Sequence, residues 1–178
     1  MNKQLIPCLY LHSEKAVTGF GQRNLFGDGN VETLAKFYGD NGADELLVFD
    51  FSSTDAEHDR AIGKIRDICQ ASEIPVIAAG NIKRMEDVQR ILYSGAKRVI
   101  LNFSKPDSAE MMAKAAEHFG KEKVAVSLDD FDGLFKHQHL IEDNCSQLIF
   151  MHRLDLNSVV AVTDIPCVIV TDTMEELE

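Results

Sequence analysis

The chain has 178 residues, 45% hydrophobic and 26% charged, and 29 acidic against 18 basic side chains give a formal charge of −11. That length suits one domain with a substantial core, and the acidic balance repels phosphate backbones, so no nucleic-acid partner is expected. No apolar run approaches the ~20 residues needed to cross a bilayer, and the opening MNKQLIPC holds no stretch of signal-peptide length, so the expectation is a cytoplasmic protein without a membrane partner.

Residues 5–11, LIPCLYL, are apolar almost throughout and read as a strand covered on both faces. A helix follows over 31–41, with Val31, Leu34, Ala35 and Phe37/Tyr38 on one side; Asp28 or Asn30 can cap it and Gly42 closes it. The second strand, 45–51, carries Asp50 near its end, and a long helix over 55–72 turns Ala61, Ile62, Ile65, Ile68 and Cys69 inward. Pro75 opens the third strand, 75–79, where its missing N–H does least harm. The third helix, 84–94, points Met85, Val88, Ile91 and Leu92 inward and stops at Gly95. Strand 98–103 leads to helix 108–119, with Ser108 as its cap and Gly120 as its stop. Strand 124–128 precedes a short helix over 137–143, strand 147–152 a helix over 156–162, and strand 167–171 the start of a seventh helix at Thr173.

This alternation predicts an all-parallel sheet with right-handed crossovers. A (β/α)8 barrel and an open doubly wound sheet both fit. The HSEKAV after the first strand lacks the Gly-rich turn of a doubly wound nucleotide binder, which weakens the second. Cys8, Cys69, Cys145 and Cys167 are widely spaced, with no CxxC, and read as small buried hydrophobes. His137 and His139 have no acidic or thiol partner at a metal-site spacing, so no metal is expected, and no cofactor either.

The segments LIPCLYLHSEKAVTGF, LAKFYGDNGADELLVFD, IPVIAAGNI, SGAKRVILN and VAVSLD resemble the barrel shared by two histidine-biosynthesis enzymes, the cyclase subunit of imidazole glycerol phosphate synthase and the ProFAR isomerase. The cyclase is the nearer likeness, in register over 4–130 and more weakly to 172. The resemblance implies a TIM-type (β/α)8 barrel with a mouth that binds a phosphorylated sugar-type ligand between two carboxylates acting as general acid and base. One carboxylate maps onto Asp129, and Asp50 also matches; the other should follow IPCL, and there the chain has Tyr10. A phenol with a pKa near ~10, against roughly 4 for a carboxylate, donates a hydrogen bond at neutral pH but is a poor base. Asp50 also has a plain reading, as a buried partner for a neighbouring loop N–H.

The phosphate grip is altered in the same direction. The family's GGGI turn stands here as AGNI, leaving Gly80 and Asn81 as candidates; its SxNT is matched by Asn102, with Phe103 in place of the threonine. Its VKG is VTG, which keeps Gly19 but puts Thr18 where a lysine would attract phosphate, and Asp172 sits where a second phosphate loop would start. At the opposite end, Glu45 and Arg98 match the charged ring through which ammonia reaches the cyclase from a glutaminase partner, while Gln4 and Gln147 replace the other members; a plain Glu45–Arg98 salt bridge is the expectation there.

The leading expectation is a cyclase-like barrel domain of histidine biosynthesis, catalytically impaired, with a structural or regulatory role. The alternatives are an active ammonia-dependent cyclase (a lyase) or ProFAR isomerase-type enzyme on a phosphoribosyl substrate, and a barrel for a different phosphorylated ligand. Seven strands are legible where the family's barrel uses eight, so the fold is read as incomplete, with about seven β/α units. Residues 1–178 read as one barrel-like domain, either closing irregularly, sealed by a partner such as a second copy, or cut from a longer histidine-biosynthesis protein whose fused domains follow it.

Overall fold

The structure is a computed structural model that describes residues 4–151 and 155–170. The chain divides into two compact units, Met1–Val99 and Ile100–Glu178.

In the first unit, β1 (Cys8–His12) pairs in parallel with β3 (Leu46–Asp50), and β3 with β4 (Val76–Ala79). The register sets Tyr10 beside Phe49 and Phe49 beside Ala79. The ladder begins later than the apolar pattern suggests because Pro7 has no N–H to give; its carbonyl still accepts the Leu47 N–H. Leu9, Leu11, Leu46, Val48, Ile77 and Ala78 are buried in the core. The expected all-parallel sheet needs one correction. A short strand, β2 (Lys15–Val17), folds back antiparallel on β1, joined by a two-residue turn in which Ser13 takes a positive φ of 56°.

Helix α1 (Val31–Asp40) is capped by Asn30, whose side chain accepts the Thr33 N–H at 2.8 Å, while Asp28 accepts the Asn30 N–H. Helix α2 (Asp55–Ala71) starts with a capping box between Thr54 and Glu57 and buries Ala61, Ile62, Ile65 and Ile68. Helix α3 (Met85–Tyr93) buries Val88 and Ile91, together with Asp87.

Strand β5 (Arg98–Asn102) spans the division between the units. In the second unit, β6 (Val124–Leu128), β7 (Gln147–Phe150) and β8 (Cys167–Ile169) pair in parallel in chain order. Helix α4 (Ser108–Phe119) has the expected bounds but not the expected cap. Asp107 holds the N-cap position at φ 65°, and the Ser108 hydroxyl instead donates to the Asn102 carbonyl at 2.6 Å. A 3-10 turn, Lys121–Lys123, follows α4. Helix α5 (Phe131–Asn144) is longer than expected. Asp130 caps it through the Gly133 N–H, and His137 breaks its regularity with φ −122° and ψ 20°. Gly133 lowers helix propensity in the first turns and hides that start from a pattern reading. Helix α6 spans Leu156–Val160.

The fold class is an incomplete TIM-type (β/α)8 barrel: parallel strands alternate with helices, and one antiparallel hairpin strand is added after β1. His152, Thr171, Asp172 and Thr173, which carried the ends of two expected strands, a phosphate position and a helix start, lie outside the described residues. Among the described residues no helix is long and apolar enough to cross a membrane.

Candidate functional site

Of the candidate residues of the first unit, Asp50 closes β3, Gly80 and Asn81 follow β4, and Tyr10 is the middle residue of β1. Tyr10 is half-buried among rings, with its centroid 6.5 Å from Phe49 and 6.4 Å from Phe51. Phe20, delivered by the segment between β2 and α1, closes on the same pair at 5.2 and 5.8 Å, and His12 meets Phe51 edge-on at 5.7 Å. Strand register explains half of this cluster, because Tyr10 and Phe49 are direct neighbours across the ladder. Burial pushes the nearby Cys8 thiol up to about 12, with a hydrogen bond to Tyr10 acting against it.

Asp50 is 1% exposed and its oxygens are engaged. Oδ1 accepts the Ser52 N–H at 2.8 Å and the Ser52 hydroxyl at 2.5 Å; Oδ2 lies 2.6 Å from His58 Nδ1 and 3.3 Å from Asn81 Nδ2. His58, 5% exposed, was not singled out in the sequence, although it lies three residues before Ala61 on the inward stripe of α2. Its Nε2 is 3.8 Å from Asp87 Oδ1, while Asp87 Oδ2 accepts the N–H groups of Lys83 and Arg84 at 3.0 Å each.

Gly80 has φ +92°, and a Cβ there would come within 1.8 Å of the Asp50 carbonyl oxygen. Asn81 takes φ 55° and donates its amide to the Ser52 carbonyl at 2.9 Å. The structure therefore joins Asp50, Gly80 and Asn81 in one knot. Gly19 lies elsewhere in the same unit, its carbonyl accepting the Gln22 N–H, next to exposed Thr18. At the other end of the strands, buried Glu45 is held by Arg98 at 3.3 Å and by Lys97, a second cation that sequence reasoning missed.

In the second unit, Asn102 and Asp129 are exposed and share one neighbour, Ser104. The Ser104 N–H donates to Asn102 Oδ1 at 2.9 Å and its hydroxyl to Asp129 Oδ2 at 2.5 Å. Ser104 carried no signal in the sequence. Phe103 packs against His137 at 5.1 Å, and its N–H donates to the Ser127 carbonyl. Gln147 is buried, while Gln4, His137 and His139 are exposed. Among the described residues no group of three or more His, Cys, Asp or Glu is placed to hold a metal ion. Chemically, Asp129 is a carboxylate open to solvent beside a hydroxyl, while Tyr10 offers a phenol inside a ring cluster and Asp50 a carboxylate already committed to its neighbours.

Residues 4–172 match the family described as "Histidine biosynthesis protein". The chain is also similar to proteins named "Imidazole glycerol phosphate synthase subunit HisF". It is 34% identical over 131 residues to that of Staphylococcus epidermidis, covering 74% of this chain and 52% of the relative. It is 33% identical over 129 residues to those of Streptococcus sanguinis and Methanocaldococcus jannaschii, covering 72% of this chain and 51% and 47% of the relatives. The chain thus spans about half the length of these curated relatives.

Proposed function

Because the chain belongs to the family described as histidine biosynthesis protein, we propose that it is a cyclase-like barrel domain of that pathway which has lost turnover and serves a structural or regulatory role. The observation that carries this reading is the seating of Tyr10. The resemblance puts a general acid–base carboxylate at position 10, the middle residue of β1. The chain puts there a phenol packed against Phe49 and Phe51, with Phe20 closing on the same rings. General acid–base catalysis wants a group that titrates near the working pH and reaches the reacting proton, and an ordinary phenol titrates near ~10. Asp50 does not replace it, since its oxygens already hold Ser52, His58 and Asn81.

The Asn81 amide is likewise spent on the preceding loop, Phe103 brings a ring where the family has a hydroxyl, and Thr18 lacks the charge of the family's lysine. These features weaken the grip on a phosphorylated ligand together with the chemistry. One observation favours the alternative of an active cyclase or isomerase-type enzyme on a phosphoribosyl substrate. Asp129 is exposed beside the Ser104 hydroxyl, a geometry suited to moving a proton.

The test is turnover of the phosphoribulosyl substrate by purified protein with ammonium present, in wild type and in Tyr10→Asp. The reading predicts background rates for both, because one carboxylate does not rebuild the phosphate grip. Cyclase turnover by wild type establishes the alternative. Recovery on the single change Tyr10→Asp shows that the phosphate contacts are intact.

A further inference from the structure

The mouth residues leave out a side chain buried more deeply than any of them except Asp50. His58 sits on α2 between two carboxylates, each 1% exposed: Asp50 at the end of β3, 2.6 Å from Nδ1, and Asp87 on the first turn of α3, 3.8 Å from Nε2. His58 Nε2 is buried without a hydrogen-bond partner. We propose that Asp50, His58 and Asp87 form a pH-responsive latch, in which the protonated ring ties the starts of α2 and α3 to the end of β3 and loosens them as it loses its proton.

A neutral imidazole donates through one nitrogen only. If Nδ1–H serves Asp50, the Nε2 lone pair faces the Asp87 carboxylate, an unfavourable arrangement away from water. A proton on Nε2 removes that lone pair and places one positive charge between two buried carboxylates, 2.6 Å from Asp50 and 3.8 Å from Asp87. Both carboxylates also organise backbone. Asp50 holds the Ser52 N–H and the Asn81 amide, and Asp87 holds the N–H groups of Lys83 and Arg84. The turns after β3 and β4 therefore hang on the same ring.

Further charges lie on α2 and on the elements packed against it. On α2 itself, Asp55 is held below the ordinary range chiefly by Lys83 and Asp59 chiefly by Arg90, and the positive charge of His58 acts on both in the same direction. Beside α3, Arg84 stands 3.4 Å from Asp87 and supplies part of the neutralising charge. From β1 comes His12, which lowers Glu57 after the Ser53 backbone N–H. From α1, Glu32 pairs with Lys64, further along α2. Asp55, Asp59 and Glu32 are each paired with a cation, Lys83, Arg90 and Lys64, whereas the ring stands against both buried carboxylates. For a histidine that gains partners on folding, the stabilisation is present where the ring is protonated and is lost as pH rises.

The experiment is urea unfolding of the full chain and of His58→Gln at intervals from about pH 5.5 to 8.5, with the wild-type midpoint expected to fall by about 0.5 M more than that of the variant. Amide exchange at Lys83 and Arg84 should accelerate over the same interval beyond its intrinsic pH dependence, in wild type only. Midpoints that run parallel for the two proteins overturn the proposal. Should His58→Gln fail to fold, nuclear magnetic resonance of the His58 ring decides the matter in wild type and Asp87→Asn. The latch requires the ring to lose its proton at lower pH in Asp87→Asn, and an unchanged titration overturns it.

Discussion

A side chain at position 80 has nowhere to go: φ is +92° and the Asp50 carbonyl oxygen would lie 1.8 Å from its Cβ. Backbone cannot swing aside as a flexible side chain can, so Gly80→Ala should cost about 2–4 kcal/mol of stability in urea unfolding. A cost below about 0.5 kcal/mol would show that the end of β3 does not approach Gly80 this closely. The sequence marked Gly80 through a phosphate turn, yet the approach of β3 alone requires glycine, so the same letter carries two messages. Burial likewise decides thiol chemistry, pushing the Cys8 and Cys145 thiols up to about 12 and Cys69 to about 11. Native protein at pH 8 should therefore react with a maleimide at Cys8 and Cys145 on the order of 100-fold more slowly than unfolded chain, read by mass spectrometry. Tyr10 was legible as a residue out of place. Phe20 was not, because a ring ten residues away enters the cluster only through the path of a loop.

Some helix ends followed their cap chemistry, as at the Asn30 side chain and at the glycine stop Gly120. Others did not: Ser108 gives its hydroxyl to Asn102 and leaves the N-cap position to Asp107. Asp130 follows another aspartate, and His137 interrupts α5. Strand β2 escaped notice because three residues, Lys15–Val17, are too few to show a period and their Ser-Glu turn lacks the Asn-Gly signature. The box at the start of α2 gives a direct test of this level. Thr54 accepts the Glu57 N–H, and Glu57 accepts the N–H groups of Ser53 and Thr54. Thr54→Ala should cost about 1 kcal/mol in urea unfolding. The backbone N–H of Ser53, first among several donors and charges, holds the Glu57 carboxyl below its usual range. The contribution of a lowered carboxyl exists above its unfolded value and fades as pH falls through its folded one. The stability difference between wild type and Glu57→Gln should therefore shrink on acidification; a difference that grows would contradict the cap.

Taken whole, the chain keeps its family's alternation of strands and helices over about half the length of its relatives. That alternation was legible because buried parallel strands carry continuous apolar runs, while the pairing of Asp50 with His58 and of Asp129 with Ser104 was not, because such contacts depend on how loops return. On the function proposed above, the rim of this barrel has exchanged an acid–base group and much of its anion grip for rings and internal hydrogen bonds. Calorimetric titration of the full chain with the doubly phosphorylated phosphoribulosyl substrate decides whether that exchange has happened. No saturable binding tighter than about 1 mM is expected, and a dissociation constant near ~1 µM would mean that the anion grip is intact.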